Sequence, residues 1–322
     1  MIRKFALTII LAGICALAAC SGASKPGPAT RGSPEALKPV SLAAGEKLQV
    51  VATTSIVADL VANVGGEKIA LKTLLPLGTD PHAFEPAPRD AVTLAGAHVI
   101  FANGAGLEEF LAPLLQSAKT KAPLVELSEG VALRTLPEEE GEEHEHGGVD
   151  PHTWTTPANA VIFVANIERA LSALDPANAP TYKANAAAYT AKLQELDAWV
   201  RAQIETIPPE HRKLVTDHEA FGYYAERYGL ENVGAVIPSF STLAEPSAQQ
   251  MAALQETIRR EGVKAIFVDA SANPTLAQRV ANDMGIKVVR LYSGSLGAKG
   301  SGAETYLDYI RFNTTAIVEA LR

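Results

Sequence analysis

Three histidines in this sequence, His82, His152 and His218, each lie beside an aspartate in a turn that leads toward a predicted helix. A neutral imidazole offers one lone pair to a metal while its second nitrogen bonds to a partner such as a carboxylate. A single histidine in a turn is usually a surface or structural residue. Only seven histidines are present, however, and these three lie 70 and 66 positions apart in comparable surroundings. The combination predicts one metal site assembled from distant parts of the chain.

The segments that would position these histidines alternate between strand-like apolar runs and segments with helical apolar spacing. Such alternation is typical of parallel sheets with crossover helices. In the first half, the predicted strands are residues 48–53, 69–75, 98–102 and 124–127, and the helices are 56–64, 89–95, 108–118 and 157–174. In the second half, the strands are 213–216, 233–237, 265–268 and 287–291, and the helices are 219–228, 246–261, 274–284 and a last one from 303. We therefore predict an α/β fold with two doubly wound lobes built on parallel sheets.

One long helix is predicted between the two halves, from Thr181 to Ile207, where apolar residues recur every three or four positions. A helix of about 27 residues is about 40 Å long, so it would act as a rigid connector. Ligands of open α/β sheets bind at the carboxyl ends of strands, so the metal site should lie in the cleft between the lobes. The predicted organisation is an N-terminal lobe at 47–175, a connecting helix at 176–208 and a C-terminal lobe at 209–322.

The N-terminus has the pattern of a secretory signal peptide. Arg3 and Lys4 precede an apolar run that is too short to anchor stably in a bilayer. The run ends in Leu-Ala-Ala-Cys, which is similar to a bacterial lipobox and makes Cys20 the predicted lipidated N-terminus. The alternative is an ordinary signal peptide with Cys20 incidental. We predict a signal peptide at 1–19 and a lipidated flexible tether at 20–46, whose Gly-, Ser- and Pro-rich composition does not support a core.

Charge and cysteine usage narrow the functional classes. The 28 basic and 36 acidic residues give a net charge of −8. Removal of Arg3 and Lys4 with the signal peptide makes the mature chain about 10 charges negative. This charge argues against nucleic-acid partners and against electrostatic binding to lipid head groups, so we expect membrane contact through the lipid anchor only. With Cys15 removed and Cys20 acylated, no disulfide is possible. We expect a monomer.

An acidic segment, Pro137 to Gly148, interrupts the strand and helix pattern with six glutamates and two histidines, His144 and His146. Like charges at this density repel, which predicts a solvated loop. Short histidine-bearing tracts also bind metal ions. His144 and His146 are therefore candidates for an auxiliary loop that captures metal weakly, with plain solvation as the alternative.

The histidine motifs resemble those of the zinc- and manganese-binding solute-binding proteins of bacterial ABC importers. The resemblance covers residues 48–322 and is carried by Asp80-Pro81-His82-Ala83-Phe84-Glu85-Pro86, Asp150-Pro151-His152-Thr153-Trp154, Thr216-Asp217-His218-Glu219-Ala220-Phe221-Gly222-Tyr223-Tyr224 and Gly302-Ala303-Glu304-Thr305-Tyr306. It implies two lobes joined by one long helix, with a metal in the cleft at His82, His152 and His218. It also implies an ABC permease and its ATPase as partners, and an exported protein, lipid-anchored to the outer face of the cell membrane or periplasmic.

The fourth ligand departs from the pattern of that family. The resemblance places an aspartate within Leu291-Tyr292-Ser293-Gly294-Ser295-Leu296-Gly297, at the position that Gly294 occupies here. Glycine has no side-chain donor, so the candidates are Asp269 at the end of a predicted strand, Glu304, or a water molecule. We take Asp269 as the candidate fourth ligand, while helix capping or surface solvation is the alternative role for both carboxylates.

Three imidazoles suit Zn²⁺, whereas Mn²⁺ prefers more oxygen donors. The resemblance agrees, because family members with glutamate at the position of His218 lean toward manganese. We therefore predict a protein that binds Zn²⁺ outside the cytoplasm and delivers it to an ABC permease, without catalysis. One alternative is a zinc hydrolase with Glu219 as general base, although no HExxH or nucleophile motif is present. The others are a Mn²⁺ receptor and a surface adhesin.

Overall fold

The computed structural model describes residues 37–135 and 148–322. Three sequence predictions fall outside these ranges: the signal peptide, the lipidated Cys20, and the auxiliary histidines His144 and His146. Among the described residues, no helix combines the length and the apolar content needed to cross a bilayer.

Two four-stranded sheets form the centre of the fold, and every strand pairing in them is parallel. The first sheet has the order β2-β1-β3-β4 and the second has the order β6-β5-β7-β8. The strands are β1 (Leu48–Ala52), β2 (Ile69–Thr73), β3 (Val99–Ala102), β4 (Leu124–Glu126), β5 (Lys213–His218), β6 (Glu231–Ile237), β7 (Ala265–Asp269) and β8 (Lys287–Leu291). The predicted α/β class with two parallel-sheet lobes is confirmed.

Nine α-helices connect or follow these strands within the described ranges. They are α1 (Ser55–Gly65), α2 (Pro88–Ala95), α3 (Leu111–Ala118), α4 (Pro157–Leu174), α5 (Ala179–Ile204), α6 (Gly222–Tyr228), α7 (Ala248–Glu261), α8 (Thr275–Met284) and α9 (Tyr306–Leu321). Short apolar strands such as β3, buried along its whole length, are typical of sheets covered by helices on both faces.

Two element boundaries differ from the predicted ones near the histidine motifs. Strand β5 continues through His218, which pairs with Ile237 of β6, so α6 begins only at Gly222 rather than at residue 219. Helix α9 begins at Tyr306 rather than at residue 303, because the side chain of Thr305 accepts a hydrogen bond from the backbone of Asp308 and caps the helix there. His218 therefore lies on a strand end and not at a helix start.

Helix α5 is the predicted connector, and its buried face is the predicted one. The buried residues are Tyr182, Ala186, Tyr189, Leu193, Leu196, Val200 and Ile204. They belong to one apolar cluster that also contains Phe163 from the first lobe and Phe267 from the second. The lobes thus share a core along α5. The lobe boundaries at residues 175 and 208 stay a prediction.

Truncation of Leu193 should test the contribution of this shared core. The side chain of Leu193 is fully buried on α5. We expect Leu193→Ala to lower the free energy of unfolding by about 2–5 kcal/mol, because it removes buried apolar surface and leaves a cavity. Urea unfolding measures the change, and Lys192→Ala, on the exposed face of the same turn, is the control. Equal stability of the two variants would contradict the packing role of α5.

Candidate metal centre

The three predicted histidines converge on one point. The Nε2 atom of His152 lies 3.2 Å from Nε2 of His82 and 3.3 Å from Nε2 of His218. Zinc bound tetrahedrally at about 2.0–2.1 Å from each nitrogen requires nitrogens about 3.3 Å apart. Within the described part of the chain, these residues form the one group of histidine, cysteine and carboxylate side chains close enough to share an ion.

The fold brings each histidine to the site from a different element. His82 lies in the loop after β2, where Oδ1 of Asp80 accepts a hydrogen bond from the His82 backbone N–H at 2.9 Å. His152 precedes a short 3₁₀ turn that leads into α4, and His218 is the last residue of β5. Two ligand candidates therefore come from the first lobe and one from the second, as predicted.

Two aspartates orient two of the imidazoles. Oδ1 of Asp150 lies 2.9 Å from Nδ1 of His152, and Oδ1 of Asp217 lies 3.0 Å from Nδ1 of His218. A carboxylate is an acceptor, so each Nδ1 carries the proton and each Nε2 presents its lone pair to the common point. This arrangement is that of a metal site supported by carboxylate partners.

The electrostatic surroundings keep two of the histidines neutral and favour protonation of the third. Burial, followed by the neighbouring histidines, lowers the pKa of His82 to about 3. Burial likewise holds the pKa of His152 well below its ordinary value. Burial also acts to lower the pKa of His218, but the hydrogen bond and the charge of Asp217 outweigh it, and the pKa is raised. His218 is therefore the imidazole at which a proton competes most with a metal.

Asp269 lines the same small cavity as the histidines, but its carboxylate is occupied by other partners. Oδ1 accepts hydrogen bonds from the backbone N–H and the hydroxyl of Ser271. Oδ2 accepts from the backbone N–H and the hydroxyl of Ser293 and, at 3.2 Å, from the backbone N–H of Gly294. These hydrogen bonds hold the loop that follows β8 against the end of β7. The assignment of Asp269 as fourth ligand stays a prediction.

The other candidate carboxylates lie away from the cavity. Oε1 of Glu304 accepts a hydrogen bond from the backbone N–H of Gly300 at 2.6 Å. Oε2 of Glu219 accepts from the amide of Asn232 at 2.6 Å. Neither carboxylate is among the residues that line the cavity around the histidines. The Glu219 carboxylate is bonded to Asn232 outside the cavity lining, which argues against its role as a general base.

Gly294 is placed where a side chain does not fit. A Cβ atom built on Gly294 would lie 2.5 Å from Cδ and 3.1 Å from Cγ of Pro81. Pro81 directly precedes His82, so the loop that carries one ligand packs on the glycine from the opposite lobe. Sequence reasoning identified the missing carboxylate but not this contact.

The loop after β6 also contributes to the site without any signal in the sequence. The hydroxyl of Thr242 donates a 2.6 Å hydrogen bond to Oδ2 of Asp80, and Thr242 lines the cavity. The ring of Phe240 lies 6.4 Å from the ring of His152. Neither residue is a metal ligand by type, which is why a search for histidines and carboxylates missed this loop.

Comparison with known families decides what kind of protein carries this site. The family described as the zinc-uptake complex component A, periplasmic (ZnuA), matches residues 50–320. The chain belongs to this family. As a member, it is an extracytoplasmic metal-binding component of an uptake system. The family is described as an uptake component, and relatives such as PsaA are named as ABC transporter substrate-binding lipoproteins, so the chain is a binding component rather than the hydrolase of the alternative prediction.

Curated relatives cover most of the chain. The manganese-binding lipoprotein MntA of Halalkalibacterium halodurans is 34% identical over 278 residues, which is 86% of this chain and 89% of MntA. The manganese ABC transporter substrate-binding lipoprotein PsaA of Streptococcus pneumoniae is 34% identical over 284 residues, 86% of this chain and 90% of PsaA. The word manganese in these names describes the metal of the relatives and not the metal of this chain.

Solved structures of relatives have the same fold. The manganese-bound periplasmic metal binding protein of Candidatus Liberibacter asiaticus is similar with a TM-score of 0.76 at 28% identity, covering 86% of this ZnuA-family chain and all of the other. The periplasmic zinc binding protein TroA of Treponema pallidum gives a TM-score of 0.75 at 29% identity, covering 86% of this chain and 99% of TroA. The proteins to which this chain is similar thus include ones named for manganese and one named for zinc.

The pH dependence of zinc affinity should report one proton. Metal must displace the proton of His218, whose pKa is raised, whereas His82 and His152 have lowered pKa values and are already neutral. The pKa of Asp150, raised by burial to about 6, leaves this carboxylate mostly ionised above about pH 6.5. Affinity should therefore fall as the pH drops below the raised pKa of His218, with a slope approaching one per pH unit. Competition titrations measure the slope, and a flat profile or a slope near three would contradict this assignment.

Substitution of Gly294 should weaken metal binding through Pro81. We expect Gly294→Ala to lower zinc affinity by roughly tenfold to a hundredfold, because overpacking of this kind costs about 1–3 kcal/mol and displaces the loop that holds His82. Gly96→Ala is the control, since a Cβ at Gly96 would meet nothing nearer than 3.9 Å. Calorimetric zinc titration of both variants is the measurement. Unchanged zinc affinity of Gly294→Ala would contradict this prediction, because it would mean that the loop with Pro81 and His82 moves aside without loss of binding free energy.

Proposed function

We propose that this chain is the extracytoplasmic receptor of a bacterial ABC importer and that its cargo is Zn²⁺. The single observation that supports this most is the convergence of three Nε2 atoms at 3.2 and 3.3 Å. At this distance the three nitrogens can bind one shared cation, and the lowered pKa values of His82 and His152 leave their lone pairs available to a metal. His82, His152 and His218 are the proposed metal ligands.

The choice of metal rests on the donor atoms. Three imidazole nitrogens suit zinc, whereas manganese is better served by carboxylate and water oxygens. In this chain, His218 occupies the position at which members that lean toward manganese have glutamate, and Gly294 occupies the position at which the family commonly has an aspartate ligand. Both differences remove an oxygen donor from the site and favour zinc.

A Mn²⁺ receptor is the second candidate, because the relatives MntA and PsaA are named for manganese. A direct competition separates the two. If Mn²⁺ displaces Zn²⁺ at comparable concentration, the site prefers oxygen donors that are not among the three histidines, and Asp269 becomes the first candidate for such a donor.

For the fourth coordination position, we propose a small exogenous ligand such as water. The cavity beside the histidines has a volume of about 10 Å³, which is room for one ion or one water molecule. Its remaining polar lining includes Thr242 and Ser271. Because Asp269 already accepts hydrogen bonds on both oxygens, coordination by Asp269 would break bonds that hold the loop at Gly294.

The cellular role follows from the family and its relatives. The family is a periplasmic uptake component, and MntA and PsaA are named as lipoproteins. We propose that Cys20 carries the lipid anchor and that the ABC permease with its ATPase receives the metal. Delivery needs reversible binding and no bond-making chemistry, which agrees with a site built only from ligands and their hydrogen-bond partners.

Metal analysis of the purified chain and its single-residue variants tests this proposal. The wild type should bind one Zn²⁺ and prefer it to Mn²⁺. Each of His82→Ala, His152→Ala and His218→Ala should lose more than the roughly 10–100-fold in affinity that removal of a ligand's hydrogen-bond partner costs. His211→Ala is the matched control, because His211 is not among the residues that line the cavity.

Asp269→Asn separates the two roles of that residue in the same measurement. An amide keeps an acceptor for Ser271 or Ser293 but is a poor metal ligand. A loss of affinity as large as that of a histidine variant would make Asp269 a ligand, and a small loss would leave it as the anchor of the loop.

A further inference from the structure

Arg134 connects the ligand His152 to the opposite lobe. Its terminal nitrogen donates to Oδ2 of Asp150 at 2.8 Å, while Oδ1 of the same carboxylate contacts the His152 imidazole. The Nε of Arg134 donates to Oε2 of Glu226 on α6 at 2.8 Å. One guanidinium thus links a carboxylate of the first lobe to one of the second.

Tyr223 completes the same contact. Its hydroxyl accepts a hydrogen bond from the backbone N–H of Arg134 at 3.0 Å and donates to the backbone carbonyl of Asp150 at 2.8 Å. The guanidinium carbon lies 5.5 Å from the centre of the Tyr223 ring, within the range of a cation–π interaction. Both ends of the segment between Arg134 and Asp150 are therefore held by one residue of α6.

Gly222 provides the space that the guanidinium occupies. A Cβ built on Gly222 would lie 1.6 Å from the Arg134 terminal nitrogen and 2.7 Å from Oδ2 of Asp150. Such distances are impossible, so no other residue is compatible with this position of the arginine. The position of the Arg134 guanidinium beside the metal centre, and not the geometry of α6, therefore requires glycine as the first residue of this helix.

We propose that Arg134 is a positioning residue of the metal centre, which orients His152 through Asp150 and couples this ligand to α6 of the opposite lobe. The inference rests on the proposed function, since it assumes that His152 binds the metal. It assigns to Arg134, Tyr223 and Gly222 a role in metal retention that their residue types alone do not indicate.

The physical argument concerns a buried carboxylate. The Asp150 side chain is fully buried, and that of Arg134 is 30% exposed. Without the guanidinium, Oδ2 of the buried Asp150 loses its cationic partner, and a buried carboxylate without a partner is strongly unfavourable. The side chain would turn toward solvent or another donor and would release the imidazole of His152.

The decisive experiment compares Arg134→Met with Arg227→Met in the full chain. Arg227 forms a similar partly exposed pair with Asp197, at 2.5 and 2.7 Å, and is 35% exposed. Arg227→Met therefore removes a similar ion pair, formed by a residue of α6, without touching Asp150 or the ligands. Thermal unfolding of the metal-free variants measures the structural cost of each change.

The readouts specific to positioning are the zinc dissociation rate and the visible spectrum of the Co²⁺-loaded chain. We expect Arg134→Met to weaken zinc binding by roughly 10–100-fold, to speed dissociation and to alter the Co²⁺ ligand-field bands. Arg134→Lys, which keeps a cation beside Asp150, should restore most of the spectrum. Arg227→Met should leave rate and spectrum at wild-type values, because Arg227 pairs with Asp197 and not with Asp150.

A double-mutant cycle tests whether Gly222 acts through the arginine. Gly222→Ala alone should resemble Arg134→Met, because the added Cβ displaces the guanidinium. In the Arg134→Met background, the same change should have little further effect on zinc dissociation. Additive effects on the dissociation rate would overturn the coupling between these residues.

The outcomes also separate this inference from the proposed function. If the wild-type chain binds no Zn²⁺, the proposed function fails. If it binds Zn²⁺ but Arg134→Met and Arg227→Met change the dissociation rate and the Co²⁺ spectrum equally, the proposed function stands and the positioning role of Arg134 is wrong.

Discussion

The structure depends on holding three imidazole lone pairs against one another. The Nε2 atoms lie 3.2 and 3.3 Å apart, and in two of the rings an aspartate accepts the hydrogen bond of Nδ1. Without metal, the proton that His218 favours can form a hydrogen bond to the lone pair of His152. A metal ion replaces that proton and can contact all three nitrogens, so the same geometry becomes a source of affinity.

The shared core supplies the necessary rigidity. Helix α5 packs with residues of both sheets in one apolar cluster, so the lobes behave as parts of one folded body rather than as independent domains. The ligands nevertheless lie in three loops or strand ends. Loops have fewer packing contacts than a core. Local opening of the segments around Asp80 and Thr242 therefore costs less free energy than a rotation of the two lobes, and it is the simpler route by which the ion enters or leaves.

Local features of the sequence predicted a large part of this arrangement. The buried face of α5 follows from apolar spacing, and His82, His152 and His218 follow from their repeated placement beside aspartates. The contacts of Arg134 with Glu226 and of Gly294 with Pro81 were not predictable, because each joins residues more than ninety positions apart and depends on how two lobes face each other. The prediction that a helix begins at Glu219 was wrong, because strand pairing extends through His218.

The contact between Gly294 and Pro81 also constrains how this site can change over generations. A change of Gly294 to aspartate would introduce a donor and, in the same step, bring its Cβ into the proline ring. Such a substitution therefore requires the loop that carries Pro81 and His82 to shift. The room for a side chain at position 294 is thus limited by a residue of the opposite lobe.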